Sequence, residues 1–134
     1  MVDLAFEKDI FIIVDEVYRE FIYTDSSHYS VLQNKKGSQH AVMIDSVSKR
    51  YSLCGARVGC MISKNKRLMA TALKFAHLRL SPPALALMAS EAAITAPHPN
   101  LEAVKKENSI RRNDTIETLE KKKYIKVSKP MGYY

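Results

Sequence analysis

Three short runs of apolar residues organise the first half of the chain. Ile10-Phe11-Ile12-Ile13-Val14 stops at Asp15-Glu16, Ala41-Val42-Met43-Ile44 stops at Asp45-Ser46, and Val58-Gly59-Cys60-Met61-Ile62 stops at Ser63. Continuous runs of this length, rich in β-branched residues, predict strands buried on both faces, as in a parallel sheet. Residues 1–8 read as the last turns of a helix, and residues 24–39 are loop-like, with Ser, Asn, Gly and Lys. From residue 64 to 80 the period changes. Met69, Ala72, Leu73, Ala76 and Leu80 recur at the spacing of an amphipathic helix. Pro82 and Pro83 break that helix and open another through Ile94, which is apolar nearly all round and is therefore expected to be buried. Pro97 and Pro99 mark a boundary. A polar helix from about Leu101 to Lys121 and a short strand, Tyr124–Val127, follow. Strands of the buried type mixed with helices predict an α/β domain.

Composition narrows this picture. Apolar residues make up 46% of the 134, enough for a core. No apolar run reaches the ~18 residues of a membrane span; the longest, Pro82 to Ile94, is interrupted by Ser90 and Glu91. The N-terminus lacks the basic start and apolar stretch of a signal peptide, so a cytoplasmic location is expected. Cys54 and Cys60, with scattered His28, His40, His77 and His98, form no metal-ligand spacing. The net charge is +7, and the excess lies beyond residue 63, where fourteen basic residues face six acidic ones. There the charges alternate in sign, as in Glu120-Lys121-Lys122-Lys123, which is the pattern of a solvated helix face. No recognition motif accompanies them, so nucleic acid is not an expected partner.

Ligands of open α/β sheets bind at the carboxyl ends of strands. Two of these strands end in polar groups there: Asp15 followed by Tyr18, and Ser46 followed by Ser48 and Lys49. Arg57 follows between Gly55 and Gly59. Singly, each has an ordinary reading: a surface lysine, a helix-capping aspartate, a packed tyrosine, half of a surface ion pair. Together they match pyridoxal phosphate (PLP). Its aldehyde needs a lysine amine, its phosphate suits an arginine fork with hydroxyl donors, and its pyridine nitrogen needs a carboxylate. Glu16, Arg19 and Arg50 are read as surface residues, and Tyr51 and Cys54 as packing.

The run Ser46-Val47-Ser48-Lys49-Arg50-Tyr51-Ser52-Leu53-Cys54-Gly55-Ala56-Arg57-Val58-Gly59 resembles the PLP-attachment motif of class I aminotransferases, within the class I and II aminotransferase family. Val14-Asp15-Glu16-Val17-Tyr18 is similar to the family's Asp-x-x-Tyr element, upstream at the family's separation. Leu80-Ser81-Pro82-Pro83 and Lys129-Pro130-Met131-Gly132 also resemble family segments. The resemblance implies part of the large-domain three-layer sandwich of aspartate aminotransferase-like enzymes. Residues 1–98 would be the later part of the PLP-binding large domain, and 99–134 the start of the small domain, with an interdomain helix and a first strand. It implies a fragment of a longer homodimeric enzyme, not competent alone, that moves an amino group between an amino acid, aspartate among the candidates, and a 2-oxo acid.

By the same resemblance, Lys49 attaches PLP and shuttles the substrate proton, and Asp15 pairs with the ring nitrogen. Tyr18 bonds the ring oxygen, while Arg57 and Ser46 hold the phosphate with Ser48 as a lesser partner. Rival readings are another PLP enzyme of the same fold type (lyase, decarboxylase or synthase) and a non-catalytic remnant serving as an interaction module.

Overall fold

The computed structural model describes residues 1–132 apart from His98, and no side chain at Pro99. The chain packs as two compact units. One comprises Met1–Val17 and Tyr29–Ala96; the other comprises Tyr18–His28 and the chain from Pro97 onward. Residues 18–28 thus pack with the second unit.

In the first unit, helix α1 (Val2–Glu7) leads into strand β1 (Ile12–Asp15). Ile10 and Phe11, at the head of the first apolar run, stay outside the strand. Asp9 turns the chain with φ 51°, and the Ile10 amide donates to the Ala5 carbonyl at 3.0 Å, still closing the helix. β2 (Ala41–Ser46) runs parallel to β1, with Ile12 opposite Ala41 and Asp15 opposite Ile44. β3 (Gly59–Ile62) runs antiparallel to β2, with Ser46 opposite Gly59, so the sheet order is β1-β2-β3. Side chains alternate across a strand. Ile12, Val14, Ala41 and Met43 therefore share one face and pack with Val2, Val31 and Leu32 as the core. Ile13, Asp15, Val42, Ile44 and Ser46 share the other.

The connection from β1 to β2 contains 3-10 turns at Val31–Gln33 and Ser38–His40. Glu16 anchors it and is buried, contrary to its surface reading. Its Oε1 accepts from the Val31 amide at 2.7 Å and from Ser30 Oγ at 3.1 Å. The acid supplies the acceptor that these donors need once they leave water.

After β2 comes one helical turn, α2 (Val47–Arg50). α3 (Lys66–Arg79) follows β3; Asn65 caps it by accepting from the Leu68 amide at 2.9 Å, and it ends at Leu80, whose φ is 66°. α4 (Ala84–Thr95) corrects the expectation of burial. Leu85, Met88 and Ile94 are 80%, 65% and 60% exposed, and Ser90 is its buried residue. Its apolar circumference is real, but no element among the described residues of this unit covers these side chains.

The second unit holds α5 (Pro99–Glu120), a polar helix laced by the ion pairs Glu107–Arg111 and Glu117–Lys121 at i,i+4 spacing. Arg112 stands over the Tyr23 ring at 5.0 Å and donates to the Pro130 carbonyl at 3.0 Å. Tyr124–Val127 is not a strand, which corrects the expected first strand of residues 99–134. A strand exists only as half of a ladder. In this unit, among the described residues, bridging is confined to Ile22 and Gly132.

Candidate functional site

Because β1 and β2 are parallel, both finish at the same edge of the sheet. Asp15 ends β1 and Ser46 ends β2. Asp15 lies opposite Ile44, two residues before Ser46, so both side chains belong to the same face. With ordinary strand spacing and rise, their Cα atoms are roughly 8 Å apart. Asp15 is exposed, and its Oδ1 accepts from the Val17 amide at 3.0 Å, a local turn that orients the carboxylate.

Ser46 has extended backbone (φ −153°) and caps α2, its Oγ accepting from the Ser48 amide at 3.2 Å. Lys49 follows in the same turn and is exposed. The chain returns through a 3-10 turn at Cys54–Ala56 to Arg57, which is left-handed with φ 56°. That conformation costs a non-glycine residue about 1–2 kcal/mol. Arg57 donates from Nη1 to the Cys54 carbonyl at 2.8 Å. The Val47 amide donates to the Val58 carbonyl at 3.3 Å, drawing the start of β3 against the end of β2.

Gly59 makes that approach feasible. A Cβ there would lie 3.0 Å from the Asp45 carbonyl oxygen and 3.3 Å from Ser46 Cβ. Gly55 has no such role, since a Cβ would meet nothing within 4 Å.

These elements line an open cavity of about 380 Å³ whose lining includes Ser46, Ser48, Arg57, Gly59, Cys60 and Met61. This size suits a small ligand. Two hydroxyls and a guanidinium with N–H groups beyond the one given to Cys54 form a donor set for a phosphate. The fold thus gathers Ser46, Ser48 and Arg57 around one cavity. Lys49 lies in the turn that carries both serines, and Asp15 on the neighbouring strand end. Tyr18 belongs to the second unit, half-buried, with its ring edge-on to Phe21 at 5.8 Å. The donor set fits the phosphate of PLP. Among the described residues no cluster of three or more His, Cys, Asp and Glu could hold a metal, and no helix is long and apolar enough to cross a membrane.

The sequence profile of aminotransferase class I and II matches residues 1–134. The chain belongs to the class I and II aminotransferase family. A curated relative, the aspartate aminotransferase of Thermotoga maritima, is 32% identical over 134 residues, covering all of this chain and 34% of the relative. The crystal structure of an aspartate aminotransferase from Thermotoga maritima superposes with a TM-score of 0.82 at 30% identity, over 99% of this chain and 34% of that one. The aspartate aminotransferase structure from Rhizobium meliloti has a TM-score of 0.88 at 18% identity over the same shares, a likeness of fold. The chain spans about a third of the length of the curated relatives it matches. Its fold is the α/β fold of these PLP-dependent transferases, part of their large-domain three-layer sandwich.

Within this family fold, two residues read as unremarkable from sequence hold the site's framework. Glu16 anchors the loop after Asp15. Arg50 is half-buried and its Nη2 donates to Asp45 Oδ2 at 3.0 Å. Asp45 itself is buried and also accepts from the Ser46 amide at 2.8 Å. The available signal was strand alternation: Asp45 must face opposite to Ser46, toward the packed side, where a carboxylate needs a partner.

Proposed function

We propose that this chain carries the cofactor-attachment part of a PLP-dependent aminotransferase, with Lys49 as the attachment lysine. Supporting this most directly is the cavity at the end of β2, where Ser46, Ser48 and Arg57 meet next to the turn bearing Lys49. A left-handed arginine supports it further, since backbone strain of this kind concentrates at ligand sites.

Bound PLP supplies an electron sink for negative charge on the substrate carbon. By the family resemblance, Arg57 and Ser46 would hold the phosphate with Ser48 as a further donor, Asp15 would keep the pyridine nitrogen protonated, and Tyr18 would donate its hydroxyl to the ring oxygen. Lys49 would attach the cofactor through its amine and, once the substrate amine has displaced it, would move the proton at the substrate carbon. The relatives' names point to aspartate as the amino acid, and the family resemblance to a 2-oxo acid as its partner substrate. Amino-group turnover, and the homodimer that the resemblance implies, are assigned to a family-length protein. Residues 1–98 are assigned to its large domain and 99–134 to the start of its small domain. The exposed cysteines Cys54 and Cys60 fit a reducing, cytoplasmic setting.

The test is reductive trapping. The chain is incubated with PLP, reduced with borohydride, and the modified lysines are mapped by mass spectrometry. Labelling concentrated at Lys49, and missing from that peptide in Lys49→Ala without transfer to one other lysine, is expected. Labelling spread evenly over the lysines overturns the assignment.

A further inference from the structure

The turn that bears Lys49 is only four residues long, too short to hold its own shape. One buried acid touches both of its ends. Asp45 Oδ1 accepts from the amide of Ser46, the cap that opens the turn, at 2.8 Å. Asp45 Oδ2 accepts from Nη2 of Arg50, the residue that closes it, at 3.0 Å. The side chains of Asp45 and Arg50 are only 11% and 14% exposed. Lys49 lies between the two tied points and is itself exposed.

Each tie has a defined consequence. The Ser46 amide bond holds the peptide before the cap, so the Ser46 hydroxyl stays beside the Ser48 amide. The Arg50 bond fixes the side chain immediately after Lys49, and with it the rotation of the turn about its axis. Successive helical residues point about 100° apart. Holding Arg50 inward therefore turns Lys49 away from the packed side. An ion pair taken out of water tolerates little displacement, because loss of either partner leaves a buried charge. A lysine on a short turn needs that external constraint, since a side chain presented for chemistry must be held to a fraction of an ångström.

We propose that Asp45 and Arg50 are positioning residues. Their ion pair fixes the direction in which the Ser46–Arg50 turn presents the Lys49 amine and the Ser46 hydroxyl. The inference rests on the reading of Lys49 as the attachment lysine only where the cofactor is concerned. The constraint on the turn is a property of this chain's own residues.

The experiment measures two quantities on the full chain. Amide hydrogen exchange at Ser46, Ser48 and Tyr51 is compared with exchange in β2 at Val42 and Ile44. The share of PLP trapped at Lys49 by borohydride, relative to all other lysines, is measured in parallel. The variants are Asp45→Asn, Arg50→Lys, and Asp45→Leu combined with Arg50→Met. The double variant replaces the pair with apolar side chains, a change that buried ion pairs commonly tolerate without unfolding.

In Asp45→Asn and in the double variant, the turn amides should exchange faster, on the order of tenfold, while β2 is unchanged. The Lys49 share should fall, also on the order of tenfold, since small misplacement is costly to reaction. Arg50→Lys keeps the charge and should retain most of the Lys49 share. A merely structural pair would accelerate exchange in the turn and in β2 together, and that result overturns the proposal. So does unaltered turn exchange in the double variant, or faster turn exchange with an unaltered Lys49 preference. If the unmodified chain shows no Lys49 preference, the cofactor reading fails; turn exchange in the variants then decides the positioning claim alone.

Discussion

The two faces of the three-stranded sheet are written in the same alphabet and do opposite work. On one face, Ile12, Val14, Ala41 and Met43 pack with Val2, Val31 and Leu32. On the other, Ile13 of edge strand β1 is 70% exposed while Val42, opposite it in the central strand, is buried, and the strand ends carry Asp15 and Ser46. The packed face holds the strands in register, and the register brings the polar ends of the open face together. A site therefore depends on a core that none of its residues belongs to. The buried acids Glu16 and Asp45 stand between the two roles: Glu16, next to Asp15, accepts from the Val31 amide, and Asp45, next to Ser46, accepts from the Ser46 amide.

Truncation on either face is the strongest way to break this comparison. Met43→Ala should destabilise the first unit by about 2–5 kcal/mol through the cavity it leaves. Ile13→Ala should stay within about 0.5 kcal/mol, as exposed positions do. Urea unfolding of the full chain compares the two. An equal loss for Ile13→Ala would mean that the open face is covered in solution.

Next in size is Glu16→Ala, which leaves the Val31 amide without its acceptor and the Ser30 hydroxyl with only Met43 Sδ at 3.5 Å. The expected cost is about 2–3 kcal/mol. Faster hydrogen exchange at the Val31 amide would accompany it; protection equal to the unmodified chain would show that the anchor is dispensable.

Gly59→Ala sharpens the link between the faces. Its methyl would press on the Asp45 carbonyl and Ser46 Cβ, at an expected cost of about 1–2 kcal/mol. PLP trapping at Lys49 should fall with it, because Ser46 must move. Full trapping despite the methyl group would detach Ser46 from the cofactor cavity.

The smallest effect has the opposite sign. Arg57→Gly removes a left-handed non-glycine residue and should stabilise by up to about 1 kcal/mol once the greater flexibility of the unfolded chain is subtracted. PLP trapping should nonetheless decline with the loss of the guanidinium. A variant that is more stable and still traps PLP normally would remove Arg57 from the site.

Much of the first unit was legible in the linear pattern. Its three apolar runs became three strands, although β3 is antiparallel and neither β1 nor β3 is buried on both faces as expected, and the period change at residue 64 became α3. Legibility ended where an element needs a partner. Tyr124–Val127 has strand composition but no ladder to join. The first apolar run begins at Ile10, yet β1 begins at Ile12, because the chain is still closing α1 when the apolar residues start. α4 was read as buried because its composition calls for cover, and composition cannot say whether cover is present.

The candidate site divides in the same way. Lys49, Ser46, Ser48, Arg57, Asp15 and Tyr18 were named from their places after the apolar runs and from the resemblance to the family's motif, which keeps its chemical groups together along the chain. Arg50 and Glu16 were passed over because an isolated charged residue reads as solvated.

By itself the sequence determined which chemical groups this protein owns, most of the segments that become strands and helices, and the family to which the chain belongs. Only the tertiary structure decided between its two similar acids. Asp15 and Asp45 both end apolar runs and look alike in the chain. Strand register places one on the open face and the other on the packed face against Arg50, since a strand has a side-chain period of two and a shift of one residue exchanges the faces.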